Sequence, residues 1–209
     1  MKSQKELSKT DHSTEDKIKN AARLIFHKKG YAATRTRDIA EEAGINLALL
    51  NYYFRSKEKL FDIIMLESLQ GFLHSIKEVF NNEETSLENK IETLVSNYID
   101  LLIEQPDIPL FLLSELRNNP NELVSKINIK QVLMNSYFIK QFKHAMNDGI
   151  IATMNPLHFI MNILGMTVFP FIASPILKSL SDISPADFED LMNQRKILIP
   201  NWIKGMLIV

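Results

Sequence analysis

The sequence predicts an all-α protein with a small three-helix head and a larger helical body. Apolar residues recur at three- and four-residue spacing along the chain, and no segment keeps the strict alternation, bounded by tight-turn signals, that is typical of a β-hairpin. Of the 209 residues, 45% are hydrophobic and 23% are charged, which suits a folded chain with a continuous core. Because the chain has no cysteine, it has neither a disulfide framework nor thiolate chemistry, in agreement with a reducing cytoplasm.

Charge divides the chain into a basic head and an acidic body. Residues 1–60 hold 13 of the 24 Lys and Arg but 8 of the 25 Asp and Glu, a net charge of +5, whereas residues 61–209 carry a net charge of −6. A basic segment attracts polyanions and displaces their counterions, and an acidic body is repelled by a duplex. The pattern favours nucleic acid as the partner of the head; chance clustering of solvated charges is the alternative.

The head is predicted to contain a tail and three helices. After the tail, Ser13 or Thr14 is a suitable N-cap for a helix that ends near Gly30. Two shorter helices with apolar residues at helical spacing are expected over residues 36–43 and 47–53. The tail itself, residues 1–12, is expected to be flexible, and its cations are either solvated or available to phosphates. These cations are Lys2, Lys5 and Lys9.

The two short helices meet at a glycine-containing turn, residues 43–46. Gly44 permits the tight exit from the first helix, and Asn46 is a good N-cap for the second. A supporting helix followed by two short helices joined in this way makes a helix-turn-helix, whose last helix enters the major groove of DNA. Four apolar side chains are expected to face its interior: Ile39, Ile45, Leu50 and Phe54.

At these residues the sequence resembles the TetR family of bacterial regulators. The similar stretch runs from about Lys17 to Phe61 and is an ordered set of residues rather than a single turn glycine. Beyond residue 70 the resemblance is one of layout only. The residues that carry it are Ala21-Ala22, Phe26, Gly30-Tyr31, Thr34, Arg37-Asp38-Ile39-Ala40, Ala43-Gly44-Ile45, Tyr52-Tyr53-Phe54 and Ser56-Lys57-Glu58-Lys59-Leu60.

The resemblance implies which side chains of the head face DNA. Lys57, beside the N-terminal amides of its helix, is suited to a phosphate. Asn51 is suited to an adenine edge, and Ala48 or Leu49 to a thymine methyl group. For the two tyrosines of the third helix, packing in the core is the alternative. The implied DNA-facing set is Thr36, Arg37, Leu47, Ala48, Leu49, Asn51, Tyr52, Tyr53 and Lys57.

Three positions depart from the family pattern. The family commonly has a small or hydroxyl residue where Leu49 stands and a tyrosine where Asn51 stands, so the third helix is expected to read an atypical operator. Arg35 occupies a place often held by a capping hydroxyl. We therefore expect Thr34 to cap the second helix, which leaves Arg35 able to reach the DNA backbone.

A long amphipathic helix over residues 57–80 is expected to link a DNA-binding domain, residues 13–60, to an effector-binding and dimerisation domain, residues 61–209. Two later helix starts are well marked, because Asn155 and Ser184 each precede a proline at the first helical position, and Ser184 with Asp187 forms a capping box. Further helices are predicted at about residues 87–104, 109–118, 121–147 with an interruption left open, 156–170 and 185–207.

The body is rich in phenylalanine, methionine, leucine and isoleucine. By the resemblance, such side chains line a pocket for an unknown small apolar effector; core packing without a cavity is the alternative. The helices predicted at 156–170 and 185–207 fit a two-fold, four-helix dimer interface. Candidate pocket residues are Phe111, Met134, Phe138 and Phe142, and candidate interface residues are Phe159, Ile163, Gly165, Phe188, Leu191, Ile199, Trp202 and Met206.

These observations predict a cytoplasmic, ligand-responsive transcriptional repressor that binds a palindromic double-stranded operator as a homodimer. An enzyme is disfavoured, because the histidines lack metal-ligand spacing and no phosphate loop or nucleophile motif is present; neither a cofactor nor a metal is expected. A helical module whose head binds protein is a further alternative.

Residues 149–177 carry no charged side chain, but their prolines and polar residues favour a helix buried against a partner subunit over a membrane span.

Overall fold

The computed structural model describes residues 4–118, 120–127 and 129–207, without the side chains of residues 4–13, 122, 127 and 129–131. Every regular element in those ranges is an α-helix, as predicted. The chain divides into an N-terminal unit, Met1–Ser68, and a C-terminal unit, Leu69–Val209. The helices are α1 Gln4–Ala33, α2 Thr36–Glu42, α3 Leu47–Phe54, α4 Lys57–Asn81, α5 Leu87–Glu104, α6 Ile108–Asn118, α7 Pro120–Ile127, α8 Ile129–Met134, α9 Tyr137–Asn147, α10 Pro156–Ile172, α11 Ser174–Ser181 and α12 Pro185–Leu207.

Most helix limits agree with the sequence prediction because the capping side chains act as expected. α5 and α12 have the predicted limits. The Asn46 side chain accepts a hydrogen bond from Leu49 N at 2.8 Å. At the start of α12, Ser184 N donates to Asp187 at 2.9 Å and Asp187 N donates to Ser184 Oγ at 3.2 Å, which completes the capping box.

Three helix predictions differ from the structure. α1 begins at Gln4 and not at Ser13 or Thr14, so most of the expected flexible tail is helical; the side chains of Lys5 and Lys9, and the whole of Lys2, lie outside the described residues. The segment 121–147 is three helices, the last of which starts anew where Ser136 caps it. The sequence prediction lacked α11, which follows α10 after a bend of 67°.

The N-terminal unit is held together by apolar side chains from all four of its helices. Phe26 of α1 and Phe61 of α4 meet edge to face, with 5.1 Å between ring centroids. At the margin, Glu67 of α4 pairs with both Lys19 and Arg23 of α1. The four residues expected inside the helix-turn-helix behave as predicted: Ile39, Leu50 and Phe54 are buried and Ile45 is half-buried.

In the C-terminal unit, α5 is the central helix and packs against α9, α10 and α12. Val95, Ile99 and Leu102 of α5 are fully buried, and each contributes on the order of 2 kcal/mol by removal from water. α10 has two opposite faces. One buries Phe159, Ile163 and Thr167 in the unit, and the other leaves Leu157, Met161 and Phe169 exposed.

A proline inside α10 determines one contact with α12. Pro170 has no backbone N–H, so the carbonyl oxygen of Met166, four residues earlier, lacks its helical partner. The Arg195 guanidinium of α12 donates to that oxygen at 2.8 Å and lies over the Trp202 ring, 5.2 Å from its centroid. The two helices are thereby joined by a charge-assisted hydrogen bond that the proline makes available.

No single helix among the described residues meets the length and hydropathy criteria for a membrane span. The bent pair of α10 and α11 meets them together.

We expect Arg195→Met to lower the free energy of unfolding by about 1–3 kcal/mol, because the Met166 carbonyl loses its charged donor. The same substitution should cost less in a Pro170→Ala background, since alanine supplies a backbone donor to that carbonyl. Urea unfolding of the single and double variants at one protein concentration measures both effects. Lys204→Met, which removes the exposed ion pair between Lys204 of α12 and Glu88 of α5, is the control and should cost less than about 1 kcal/mol. Equal costs of Arg195→Met in both backgrounds would contradict this account.

Candidate nucleic-acid interface and apolar cavity

The helix-turn-helix is formed by α2, α3 and the tight turn between them. The turn is closed by a hydrogen bond from Ile45 N to Ala40 O at 3.0 Å. Gly44 takes a φ of +65°, a backbone conformation that residues other than glycine rarely adopt. At the start of α2, the backbone N of Arg35 donates to the Asp38 carboxylate at 3.1 Å. That bond and a 3.0 Å ion pair with Lys29 hold the pKa of Asp38 below its usual value.

One face of α3 packs inward and the other is open to solvent. Leu50 and Phe54 are buried, whereas Leu47, Ala48 and Asn51 are exposed. Tyr52 is 76% exposed, which excludes core packing for its ring, and Tyr53 is half-buried beside it, with ring centroids 5.4 Å apart. Leu49 is half-buried as well. The open face therefore presents apolar, amide and phenolic groups in one row, the chemistry needed to contact base edges and phosphates.

Two predictions at the edge of this face need correction. The Thr34 hydroxyl does not cap α2; it donates back to Gly30 O at 2.7 Å, and Thr34 is buried. The Lys57 ammonium is directed into the N-terminal unit, where it donates to Tyr31 O at 2.9 Å and Thr34 O at 3.0 Å. A phosphate contact by Lys57, as the resemblance implied, would have to use the third donor of the ammonium or replace one of these bonds.

The cations of the N-terminal unit fall into two groups. Lys19, Arg23 and Lys29 are paired with carboxylates inside the unit. Arg37, near the start of α2, is exposed as expected, and Thr36 beside it is half-buried. Arg55 is also exposed, at the C-terminal end of α3. The sequence analysis did not include Arg55, although a basic residue directly after the last helix of the motif was a visible signal.

The C-terminal unit contains a cavity of about 310 Å³ with an almost wholly apolar lining. Tyr98, stacked on Phe72 at 4.8 Å between ring centroids, contributes the one side-chain hydroxyl of the lining. Burial raises the pKa of Tyr98 to about 12, so the hydroxyl is neutral at physiological pH. The lining is formed by Leu69, Phe72, Leu73, Ile76, Phe80, Leu94, Tyr98, Leu112, Leu116, Leu123, Val124, Val132, Leu133, Phe138, Phe159, Ile160, Ile163 and Leu164.

Of the four predicted pocket residues, only Phe138 lines this cavity. Phe111 and Phe142 are buried elsewhere in the core, and Met134 is exposed, although its neighbours Val132 and Leu133 do contribute. Helical spacing identifies apolar residues, but it does not say which of them border a space and which fill it. The lining residues of α4 and α5 carried no further signal in the sequence.

A fully buried lysine anchors α9 next to the cavity. The Lys90 ammonium donates to Gln141 Oε1 at 2.6 Å and to Thr85 O at 3.1 Å, and it lies 4.8 Å from the centroid of the Tyr137 ring. Burial lowers the pKa of Lys90. Phe138, on the same helix, stacks on Phe80 of α4 with 4.5 Å between centroids. The lysine therefore fixes the helix that supplies part of the cavity wall.

The candidate dimer residues divide evenly between the inside and the surface of the C-terminal unit. Phe159, Ile163, Phe188 and Ile199 are buried within it, and the first two line the cavity, so these four are not available to a partner subunit. Gly165 of α10 is exposed, as are three residues of α12, Leu191, Trp202 and Met206. Both helices present residues at the surface, and the dimer contact itself stays a prediction; the sequence did not separate the two faces of each helix.

Known proteins resemble this chain in sequence and in fold. Residues 18–64 match the family model described as bacterial regulatory proteins of the tetR family. The probable HTH-type transcriptional regulator YttP of Bacillus subtilis (strain 168) is 23% identical over 181 residues, 83% of this chain and 84% of YttP. The fatty acid metabolism regulator protein of the same strain is 27% identical over 111 residues, 53% of this chain and 57% of that protein. The crystal structure of FadR from Bacillus subtilis in complex with stearoyl-CoA has a TM-score of 0.59 and 20% identity, covering 91% of this chain and 97% of FadR.

An all-α chain whose basic N-terminal unit exposes one face of a helix-turn-helix is a DNA-binding transcriptional regulator. The match to the tetR family of bacterial regulatory proteins covers residues 18–64 and, with the similarity to YttP, supports a TetR-family transcriptional regulator. The similarity is to proteins that regulate transcription, which favours a regulator over the enzyme alternative.

We expect Arg37→Gln and Arg55→Gln each to reduce the salt dependence of DNA binding. Loss of one phosphate contact should lower the magnitude of the slope of log K against log salt concentration by about 0.9. Fluorescence anisotropy with a labelled duplex at several KCl concentrations measures the slope. Lys19→Gln removes the same charge from a residue that pairs with Glu15 and Glu67, and it should leave the slope unchanged. An unchanged slope in both arginine variants would remove them from the interface.

Proposed function

We propose that this regulator is a cytoplasmic, ligand-responsive repressor that binds a palindromic operator as a homodimer. The observation that carries the proposal is the apolar cavity, because a concave space lined by hydrocarbon is the usual form of a site for an apolar small molecule. Repression is the simplest regulatory effect, since a protein bound at a promoter obstructs polymerase. The exposed face of α3 is proposed to read the operator through Leu47, Ala48, Asn51 and Tyr52.

The homodimer is supported by apolar side chains that two neighbouring helices leave in solvent. A contiguous apolar surface of this kind is typical of a protein interface. Two such helices from each of two subunits form a four-helix bundle around a two-fold axis, and a two-fold dimer matches a palindromic site. The exposed residues are Leu157, Met161, Leu164 and Phe169 of α10 and Leu191, Leu198, Trp202 and Met206 of α12.

We expect Trp202→Glu to shift the protein from dimer to monomer, because it places a charge at an apolar, desolvated interface. Sedimentation velocity at micromolar concentration measures the change. Ile197→Glu is the matched control: Ile197 is 70% exposed on the same helix but borders a polar groove between α5 and α12, so the dimer should persist. If Trp202→Glu remains dimeric, the surface formed by α10 and α12 is not the interface.

The effector is proposed to carry an unbranched hydrocarbon chain. The cavity volume of about 310 Å³ is at the lower end for small-molecule sites, and its lining is almost wholly hydrocarbon. One relative is named a fatty acid metabolism regulator protein, and a structure of similar fold was solved with stearoyl-CoA. A fatty acid or fatty acyl thioester has the chemistry that fits the cavity.

The response to the effector is proposed to pass along α4. Five residues of this helix line the cavity, from Leu69 to Phe80, and the same helix begins at Lys57 in the N-terminal unit. A ligand that binds one arrangement of α4 more tightly shifts the protein toward that arrangement. The resulting change in operator affinity cannot exceed the ratio of the ligand's affinities for the two arrangements. Couplings of this kind are typically 5- to 150-fold, which sets the expected size of the response.

We expect Leu112→Trp to abolish ligand binding by filling the cavity, while Leu113→Trp leaves it intact. The two leucines are neighbours on α6, but only Leu112 lines the cavity; Leu113 is exposed. Binding is measured by the fluorescence of cis-parinaric acid and by its displacement with dodecanoyl-CoA or stearoyl-CoA. In the wild type and in Leu113→Trp, the bound compound should weaken duplex binding. Equal parinaric acid binding by both variants would place the ligand elsewhere.

A further inference from the structure

Leu164 of α10 belongs both to the cavity and to the exposed apolar surface of the C-terminal unit. It lines the cavity together with Phe159, Ile160 and Ile163 of the same helix. It is also 40% exposed, whereas Phe159 and Ile163 are buried. A side chain that borders a cavity and is also reached by solvent forms a wall one side chain thick. At α10, the cavity is therefore separated from water by a single layer of atoms.

The spacing of residues along α10 places Leu164 where the two faces of the helix meet. Residues three and four positions apart are neighbours on a helix surface. Four positions before Leu164 is Ile160, which lines the cavity, and three positions before it is Met161, which is exposed. The face that borders the cavity and the face proposed to contact a second subunit therefore share an edge at this residue.

The exposed side of α10 is suited to close contact with another helix. Residues 156–172 contain no Asp, Glu, Lys or Arg, so no permanently charged side chain has to be removed from water when this side is covered. Gly165, next to Leu164, is exposed, and a Cβ atom at this position would meet open space. A helix of a second subunit can therefore approach the α10 backbone directly beside the cavity wall.

We propose that a second copy of this chain closes the cavity at α10, so that effector binding and dimerisation favour each other. This inference rests on the homodimer and the effector proposed above. In the monomer, the part of the effector beside Leu164 stays close to water, and in the dimer the partner subunit covers it. Removing about 55 Å² of apolar surface from water corresponds to about a 10-fold gain in affinity, which sets the expected size of the effect.

The cavity keeps a route to solvent on another side. Leu116 of α6 and Val124 of α7 also line it and are exposed, and neither helix belongs to the proposed dimer surface. Because the lining is almost wholly hydrocarbon, the polar head of a fatty acid or acyl thioester has to remain in water. The hydrocarbon chain thus enters from the side of α6 and α7, and the partner subunit covers it at α10.

The test compares the binding of cis-parinaric acid by dimeric and monomeric protein. Trp202→Glu is expected to be monomeric, and Trp202 does not line the cavity. Ile197→Glu adds the same charge to α12 and is expected to remain dimeric. We expect the dissociation constant for cis-parinaric acid to rise about 10-fold in Trp202→Glu and to keep its wild-type value in Ile197→Glu. Sedimentation velocity of the same samples gives the oligomeric state.

Linkage requires the reverse effect as well, because the coupling between two binding events is reciprocal. If each of the two cavities of a dimer binds about 10-fold more tightly than the cavity of a monomer, saturation of both lowers the dimer dissociation constant by about 100-fold. Sedimentation equilibrium of the wild type with and without cis-parinaric acid measures this shift.

Two leucines of α10 provide a matched pair for the position of the closure. Leu164→Ala and Leu157→Ala both remove apolar surface from the exposed side of the helix, but of the two residues only Leu164 lines the cavity. The ligand-induced shift in the dimer dissociation constant should shrink several-fold in Leu164→Ala and persist in Leu157→Ala. Equal shifts in the two variants would contradict closure at Leu164.

The possible failures have different signatures. Equal cis-parinaric acid affinity of monomer and dimer would overturn the closure and leave the proposed effector and homodimer intact. A dimeric Trp202→Glu would contradict the interface formed by α10 and α12, and the closure with it. Absence of binding by every form of the protein would contradict the proposed effector class, and the closure would fall for lack of a ligand. If Trp202→Glu folds poorly, wild-type protein diluted below its dimer dissociation constant supplies the monomer for the same comparison.

Discussion

The DNA-binding surface depends on the burial of one side of an eight-residue helix. A helix as short as α3 is not stable alone in water, so it exists only because tertiary packing holds it. Leu50 and Phe54 provide that packing, and their burial decides which face remains open. Because Leu50 points into the unit, Asn51 and Tyr52 lie on the opposite, exposed side of the helix. The recognition face is thus a direct consequence of how the N-terminal unit is packed.

The same constraint governs α10 in the C-terminal unit, with a different outcome. One face of α10 buries Phe159 and Ile163 beside the cavity, and the opposite face leaves Met161 and Phe169 in solvent. A helix that is apolar all round has to be covered on both sides. The unit covers only one side, which is the physical basis for proposing a second subunit on the other.

In each of the two units, a lysine side chain donates to the backbone. Lys57 and Lys90 each donate to two oxygens and each lie over a tyrosine ring, at 4.2 Å and 4.8 Å from the centroid. Both bind backbone carbonyls that lie near a helix end or in a loop. A count of positive charge therefore overstates what is offered to a polyanion, because some cations are consumed where the backbone needs donors.

The sequence by itself determined most of the helix limits, the helix-turn-helix and the resemblance to the tetR family. Those features depend on local chemistry, such as the Asn46 cap, the Ser184 and Asp187 capping box and the spacing of buried residues along each helix. Only the tertiary structure decided which apolar residues border the cavity, which face of α10 is open and where the Lys57 ammonium goes. Each of these depends on residues distant in sequence: Tyr31 lies 26 positions from Lys57, and Phe138 meets Phe80 across the fold. Helical periodicity says that a side chain is covered, but only the packed structure says by what.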